Sequence, residues 1–259
     1  MTTYLDGILE HHRLVAEADH RPMEALIGEA RQMPPTRGFA AALRAQSSLA
    51  VIAEIKRRSP SKGDLFAHLD PVALAQAYES GGASCLSVLT DSPHFGGSVS
   101  DLQRARDAVS VPVVRKDFTV SERDVLDTRI MGADCVLLIA AALDKTELVT
   151  FHELATSVGL DVLVEIHDEA ELEIALSANA SIIGVNQRDL VTFQVDHERA
   201  IRMAALIPAN VVRIAESGVR DRSDAQSLRD AGYDAVLVGE SLVTAADPAA
   251  AIAELRVGT

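Results

Sequence analysis

Proton transfer in an enzyme needs an acid and a base held close together, and three short stretches of this sequence supply the types. Glu54 and Lys56 stand two residues apart where the apolar run LAVIAEI (49–55) ends. Strand alternation puts both side chains on one side. Lys116 closes the run VPVVRK (111–116) and is followed by Asp117 and Phe118. Glu165 sits near the end of DVLVEI (161–166). A carboxylate finishing an apolar run is costly to bury unpaired, and a lysine from either of the other stretches would pair with it. Clusters of lysines and glutamates push pKa values apart, which suits acid–base work. Only four of the 24 basic residues are lysines, namely Lys56, Lys62, Lys116 and Lys145, and three of these fall in the chemistry-bearing stretches. Lysine is the cation whose pKa burial can tune. Plainer alternatives stand beside these readings: a salt bridge from Lys116 to Asp117, a solvated basic loop after Lys56, and a loop or structural role for His167.

A second set of residues suits the recognition of anions. Arg188, in Asn186-Gln187-Arg188-Asp189, carries fork-shaped donors that match a carboxylate, with a salt bridge to Asp189 as the alternative; Asn186 suits a hydroxyl. Glu216-Ser217-Gly218 and Gly239-Glu240-Ser241 are glycine-containing ends of apolar runs, where backbone N–H groups can reach phosphate oxygens. The stretch RRSPSKGDLFAHLD (57–70) holds three more cations, a histidine and two serines and is long for a turn, as lids and binding loops are. Phe118 offers an apolar wall. The histidines are scattered and none has ligand spacing with Cys or a carboxylate pair, so no metal site is expected.

These residues need a scaffold that brings distant segments to one place. Eight strand-like runs occur: 49–55, 84–90, 111–116, 134–140, 161–166, 181–186, 211–217 and 234–240. They are continuous rather than alternating, as for strands buried on both faces of a parallel sheet. Helical stretches separate them: Pro71 to Ser80, Ser121 to Met131 before Gly132, Asp144 to Val158 before Gly159, and Asp221 to Ala231 before Gly232. Gly-Ala-Asp (132–134), Gly-Tyr-Asp (232–234) and Gly-Gly-Ala-Ser (81–84) repeat one helix-to-strand turn. Eight βα units favour an α/β fold of the closed TIM (β/α)8 barrel type over a doubly wound open sheet. Every candidate above then lies at the C-terminal end of a strand or in the loop that follows, where barrels of this kind carry their chemistry. Residues 1–48 are expected to form an N-terminal helical extension, with an apolar stripe of Tyr4, Leu5, Ile8, Leu9, Leu14 and Val15 and a second helix from about Pro22 to Met33. Residues 49–259 form the barrel, and 1–259 one domain.

Composition narrows the partners. A net charge of −14 argues against nucleic acid or an anionic membrane, both polyanions, but not against a small anion met by local cations. No apolar run approaches the roughly 20 residues of a membrane span. The N-terminal segment lacks a signal-peptide core, so a cytoplasmic protein is expected. Cys85 and Cys135 lie in apolar runs and read as free buried thiols. The chain stops soon after the eighth unit, so no fused second enzyme is expected; the sequence leaves the oligomeric state open, a monomer being one option.

The segments AEIKRRSPSKGDL, LSVLTD, FGGSVSDL, VVRKDF, GADCVLLIAAAL, LVEIH, GVNQRDL, IAESGV and VLVGESL resemble, in order, the signature segments of the indole-3-glycerol phosphate synthase family; LDGILEHHR resembles its extra helix. The resemblance implies ring closure, decarboxylation and dehydration of 1-(2-carboxyphenylamino)-1-deoxyribulose 5-phosphate without a cofactor. It implies that Lys116 and Lys56 act as acids, that Glu165 and Glu54 accept or relay protons, and that Asn186 positions Glu54 and the substrate. Ser217 joins this catalytic set. Ser59 and Arg188 would contact the ligand, Phe118 and Leu137 would wall its aromatic ring, and Gly218, Gly239 and Ser241 would hold its phosphate. Glu216 and Glu240 are counted among the substrate-binding residues. Gln187, where the family commonly has Asn, and His94, before Phe-Gly-Gly, depart from the pattern. Competing readings are a Schiff-base aldolase, a sugar-phosphate isomerase, which lacks its expected Cys at the end of the first strand, and a phosphosugar-binding regulator without turnover.

Overall fold

In a computed structural model, which describes residues 4–59, 63–66, 68–189 and 194–258, each of the eight apolar runs is a strand. They are β1 (Ala50–Ile55), β2 (Cys85–Leu89), β3 (Val113–Lys116), β4 (Cys135–Ile139), β5 (Asp161–Ile166), β6 (Ile182–Asn186), β7 (Val212–Glu216) and β8 (Ala235–Val238). All pair in parallel with their neighbours in sequence, and β8 closes on β1 with Ala50 opposite Ala235 and Ala53 opposite Val238. Closure leaves the barrel without an edge to protect. β1, β2, β4, β6 and β8 are buried at every position, which is why their sequences run apolar without alternation.

Among the described residues, three α-helices precede the barrel: α1 (Tyr4–Ala18), α2 (Met23–Gln32) and α3 (Phe39–Arg44). Ten follow: α4 (Pro71–Ser80), α5 (Ser92–Phe95), α6 (Val99–Asp107), α7 (Glu122–Ile130), α8 (Lys145–Ser157), α9 (Glu169–Ser177), α10 (His197–Ala204), α11 (Arg222–Asp230), α12 (Glu240–Val243) and α13 (Pro248–Leu255). Ser121 and Asp221 accept backbone N–H bonds as N-caps, and Asp144 forms a reciprocal capping box with Glu147. Gly132 and Gly232 leave their helices with φ of 96° and 99°, a region that favours glycine.

The repeated turn proves to be a device for pinning strands. The carboxylate of Asp134, at the entrance to β4, accepts the N–H of Val113 at 2.8 Å, and Asp234, at the entrance to β8, accepts the N–H of Arg213 at 2.8 Å. Each aspartate thus holds the start of the preceding strand. Ser84, in the third copy, does not: its hydroxyl is buried without a hydrogen-bond partner.

The extension differs from its expected pattern. α1 buries Ile8, but Leu14 and Val15 are 59% and 58% exposed. The helix meets polar loops at the barrel mouth, so polar residues anchor it: Arg13 pairs with Glu147 at 2.9 Å and reaches the carbonyl of Ala142, while His12 meets Asp91 at 3.0 Å. α3 gave no signal, being six residues long and entered through the left-handed Gly38 without a side-chain cap. It closes the other end of the barrel, with the N–H of Ala40 on Asp161 and the Phe39 carbonyl facing Cys85, the first residues of β5 and β2. Cys85 and Cys135 are buried free thiols, as their sequence context suggested.

Asp134 is fully buried, bound twice by the Arg106 guanidinium and once by the Arg37 N–H. Removing one partner of a buried ion pair leaves the other charge without compensation. Asp134→Ala is therefore expected to cost about 3 kcal/mol or more, read as a lowered denaturant midpoint with activity per folded molecule preserved.

Candidate active site

The C-terminal ends of the strands surround one cavity of about 480 Å³, and all fifteen residues singled out from the sequence line it: Glu54, Lys56, Ser59, Lys116, Phe118, Leu137, Glu165, Asn186, Arg188, Glu216, Ser217, Gly218, Gly239, Glu240 and Ser241. Register explains the convergence. Glu165 lies level with Gly184 of β6, and Asn186 with Glu216 of β7, so the acidic side chains stand in adjacent layers of one interior face.

Lys116 is the hub. Its Nζ donates to Glu165 Oε2 at 2.6 Å and lies 3.6 Å from Glu216 Oε2. The expected alternative partner, Asp117, is bound instead to Arg115 at 2.9 Å and to the Thr90 hydroxyl. Burial works against a charge on Lys116, yet Glu165, Glu216 and Glu54 outweigh it and hold the ammonium pKa above its ordinary value. Burial likewise opposes charge on Glu165, but Lys116, His167 and the amide of Asn186 (3.0 Å) keep its pKa low. Asn186 therefore orients Glu165, not Glu54 as the family resemblance implied; side chains of β5 and β6 are neighbours, whereas Glu54 is on β1.

Glu216 behaves in the opposite sense. Burial, followed by repulsion from Glu165, raises its pKa above the ordinary 4.5. Its Oε1 is buried without a hydrogen-bond partner and occupies the space over Gly184, where an added Cβ would come within 1.9 Å. One lysine cannot neutralise two adjacent buried carboxylates, so one of them keeps its proton. The site thus holds a charged base, a charged ammonium and a neutral acid together.

Glu54 and Lys56 form a second pair across the mouth, joined by a short hydrogen bond. Gly239 lies directly behind them: a Cβ there would fall 2.3 Å from Glu54 Oε1 and 3.1 Å from Lys56 Nζ. Ser217 and Gly218 take left-handed backbone angles, φ 67° and 77°. Gln187, the departure from the family pattern, holds that turn by donating from Nε2 to the Ser217 carbonyl at 2.7 Å. The Ser241 hydroxyl donates to the Val219 carbonyl at 3.0 Å and ties α12 to the same turn.

Sequence reasoning missed several contributors. Tyr4, Leu5 and Ile8 of α1 roof the cavity, and Arg220 adds a cation at its edge. Tyr4, Leu5 and Ile8 carried a signal only as part of the apolar stripe of the extension, and Arg220 carried none. His167 is more closely involved than a loop histidine: Nδ1 is 3.1 Å from Glu171, and the buried Nε2 is 3.8 Å from Glu165 Oε1. Burial opposes its charging, but Glu171 and Glu165 raise its pKa. In the long loop after β1, Arg58–Ser59 pairs antiparallel with Gly63–Asp64, and Arg57 is fixed by Asp101; Ser61 and Lys62 lie outside the described residues.

A closed eight-stranded barrel, with paired lysines and glutamates at one end and a glycine-lined turn beside them, defines a (β/α)8 enzyme built for acid–base chemistry on a small anion. Solved structures agree on the fold: 3-hexulose-6-phosphate synthase from Salmonella typhimurium (TM-score 0.65, 15% identity, 80% of this chain and 97% of that one) and thiamine phosphate pyrophosphorylase from Pyrococcus furiosus (TM-score 0.59, 16% identity, 81% and 94%). The family model for indole-3-glycerol phosphate synthase matches residues 5–255. Proteins of that name from Mycobacterium ulcerans and Streptomyces griseus are each 49% identical, across 98% and 97% of this chain and 93% and 94% of theirs. The chain belongs to the indole-3-glycerol phosphate synthase family.

Because Glu216 holds its proton in the folded state to a higher pH than when unfolded, it costs nothing below its ordinary pKa. It destabilises the fold progressively as pH rises from about 4.5 toward the raised folded value. Glu216→Gln, which mimics the neutral acid, is expected to match wild type in stability near pH 4. It should gain on wild type as pH rises to 7, measured by urea unfolding at each pH.

Proposed function

We propose that this chain is an indole-3-glycerol phosphate synthase, a carboxy-lyase of tryptophan biosynthesis. It converts 1-(2-carboxyphenylamino)-1-deoxyribulose 5-phosphate to indole-3-glycerol phosphate, carbon dioxide and water. The observation that carries this reading is the Lys116–Glu165–Glu216 cluster facing the Glu54–Lys56 pair across one cavity, in a chain of this family.

The ring carbon bearing the carboxylate attacks the ketone carbon while Lys116, held charged by its carboxylates, gives a proton to the ketone oxygen. Loss of carbon dioxide returns the bonding electrons to the ring. In the second stage the new hydroxyl leaves as water after protonation, and a proton is removed from the adjacent carbon to complete the pyrrole. Lys56 and Glu54 on one side, and Glu165 on the other, are placed to supply and take those protons. Asn186 fixes Glu165 through its amide. Phe118 and Leu137 suit the aromatic ring, and Arg188 and Ser59 its carboxylate end. The phosphate fits the N–H groups of Ser217, Gly218, Gly239, Glu240 and Ser241. The Ser241 hydroxyl proton is already engaged with Val219, so its backbone N–H is the group that serves there. Cations at Lys56, Lys116, Arg188 and Arg220 give this acidic protein a local attraction for a dianionic substrate.

Among the described residues no helix is long and apolar enough to cross a membrane. Membership of a biosynthetic enzyme family supports a cytoplasmic location, and the one closed barrel from β1 to β8 supports a single domain.

Turnover is followed by the fluorescence of the indole product. Lys116→Met, which keeps the volume and removes the proton, is expected to lower kcat by roughly 10² to 10⁴ with the circular dichroism unchanged. Wild-type kcat in that variant would remove Lys116 from the chemistry.

A further inference from the structure

Among the described residues, one cluster of ligating groups lies outside the acid–base site. Asp91, after β2, and His94, of α5, are three residues apart, but His12 of α1 lies 79 residues before Asp91, which is why spacing gave no hint of the full set. His12 Nε2 is 3.0 Å and His94 Nδ1 is 3.1 Å from the same oxygen, Asp91 Oδ1, and all three donor atoms lie within 4.8 Å of one another. We propose that His12, Asp91 and His94 bind one divalent transition-metal ion, zinc foremost, which clamps α1 to the barrel mouth.

The donor set is two imidazoles and a carboxylate, the nitrogen and oxygen ligands that zinc accepts. Bonds of about 2.0–2.2 Å in a tetrahedral shell place ligand atoms roughly 3.3 Å apart. The observed separations from Asp91 thus need adjustment by only a few tenths of an ångström. The aspartate is already oriented for this task. Its Oδ2 accepts the backbone N–H groups of His94 (2.8 Å) and Phe95 (3.0 Å), which fixes the carboxylate and turns Oδ1 toward the two rings. Such outer-shell bonds are what hold metal-ligating carboxylates in place. The Asp91 side chain is fully buried, whereas those of His12 and His94 are 17% and 21% exposed, so an ion has a path in and a coordination position open to water.

The surroundings favour a cation. Asp117 Oδ1 stands 3.9 Å from His12 Nε2 and adds a carboxylate to the surroundings, though its other oxygen is paired with Arg115 at 2.9 Å. Two guanidinium groups nearby are engaged elsewhere: Arg58 with the carbonyls of Ser92 and Pro93, and Arg115 with Asp117 and the Thr90 hydroxyl. A third imidazole, His11, has its ring 5.7 Å from that of His12 and 6.0 Å from that of His94. Three of the chain's eight histidines therefore meet at one point on the mouth, more than a single helix anchor needs.

The location gives the ion a consequence. α1 roofs the cavity through Tyr4, Leu5 and Ile8, and the His12 ring packs 5.4 Å from Phe118, itself a wall of the cavity. A metal holding His12 to Asp91 and His94 fixes that roof more firmly than hydrogen bonds exchanged with water.

The test uses the full chain stripped with a chelator. Zinc is titrated by calorimetry at pH 7.5 and pH 5.5, and thermal unfolding is recorded with and without zinc. Cobalt is added separately to read the visible absorption of a tetrahedral site. The expected result is one zinc per chain at pH 7.5, weaker binding at pH 5.5 where protons compete for the imidazoles, and a raised unfolding temperature. His12→Gln and His94→Gln should each weaken binding by roughly tenfold or more, and the double variant should lose both the cobalt spectrum and the thermal shift. Asp91→Asn, which keeps an acceptor for the α5 N–H groups, serves as a third probe should either histidine variant unfold. No zinc binding by wild type, or unchanged binding in the double variant or in Asp91→Asn, would overturn the site.

Discussion

The ammonium of Lys116 stands between two buried carboxylates, and the rest of the cavity is arranged around the imbalance this creates. One positive charge cannot satisfy Glu165 and Glu216 together. Asn186 and His167 tip the charge toward Glu165, and Glu216 is left against Gly184 with one oxygen unbonded. Neither carboxylate would be tolerable in an apolar barrel alone. Together with the lysine they form an arrangement in which protonation states differ by design of position and not by residue type. The closed barrel supplies the rigidity this requires, since strand register fixes which side chains share a layer.

Much of this was legible in the sequence because barrel geometry is periodic. Continuous apolar runs gave the eight strands, capping aspartates and serines gave the helix starts, and polar residues interrupting the run ends gave the site. Asp144 with Glu147, and Ser121 before Glu122, are signals that depend only on neighbours a turn away. What sequence could not give were contacts between distant segments. That Lys116 would choose Glu165 over adjacent Asp117 follows from Arg115 and Thr90 taking the aspartate, a fact of packing. That Asn186 would serve Glu165 and not Glu54 depends on which strands adjoin.

The N-terminal extension was the least legible part. α1 holds to the barrel through Arg13 and His12 and leaves Leu14 and Val15 in solvent, so its hydrophobic stripe misstates the face that docks. α3 lacks both a capping side chain and the length for a periodic signal. Both helices are shaped by what the barrel ends present to them: polar loops at the mouth, buried strand starts at the other end. Similarly, Gln187 reads as a minor departure in a loop, yet its amide holds the carbonyl of a residue with a strained backbone.

Gly239 joins two tasks in one residue. Its bare Cα leaves the volume that Glu54 and Lys56 occupy, and the chain turns there directly into α12, which faces the Ser217–Gly218 bend. A charged group seated against that bend therefore presses on the same wall that positions the neighbouring ammonium. In a molecule built this way the end of the ligand that does not react is not merely an anchor. Trimming it away would slow the chemical step itself as well as loosen the grip, because attachment energy gathered at one end is used at the other.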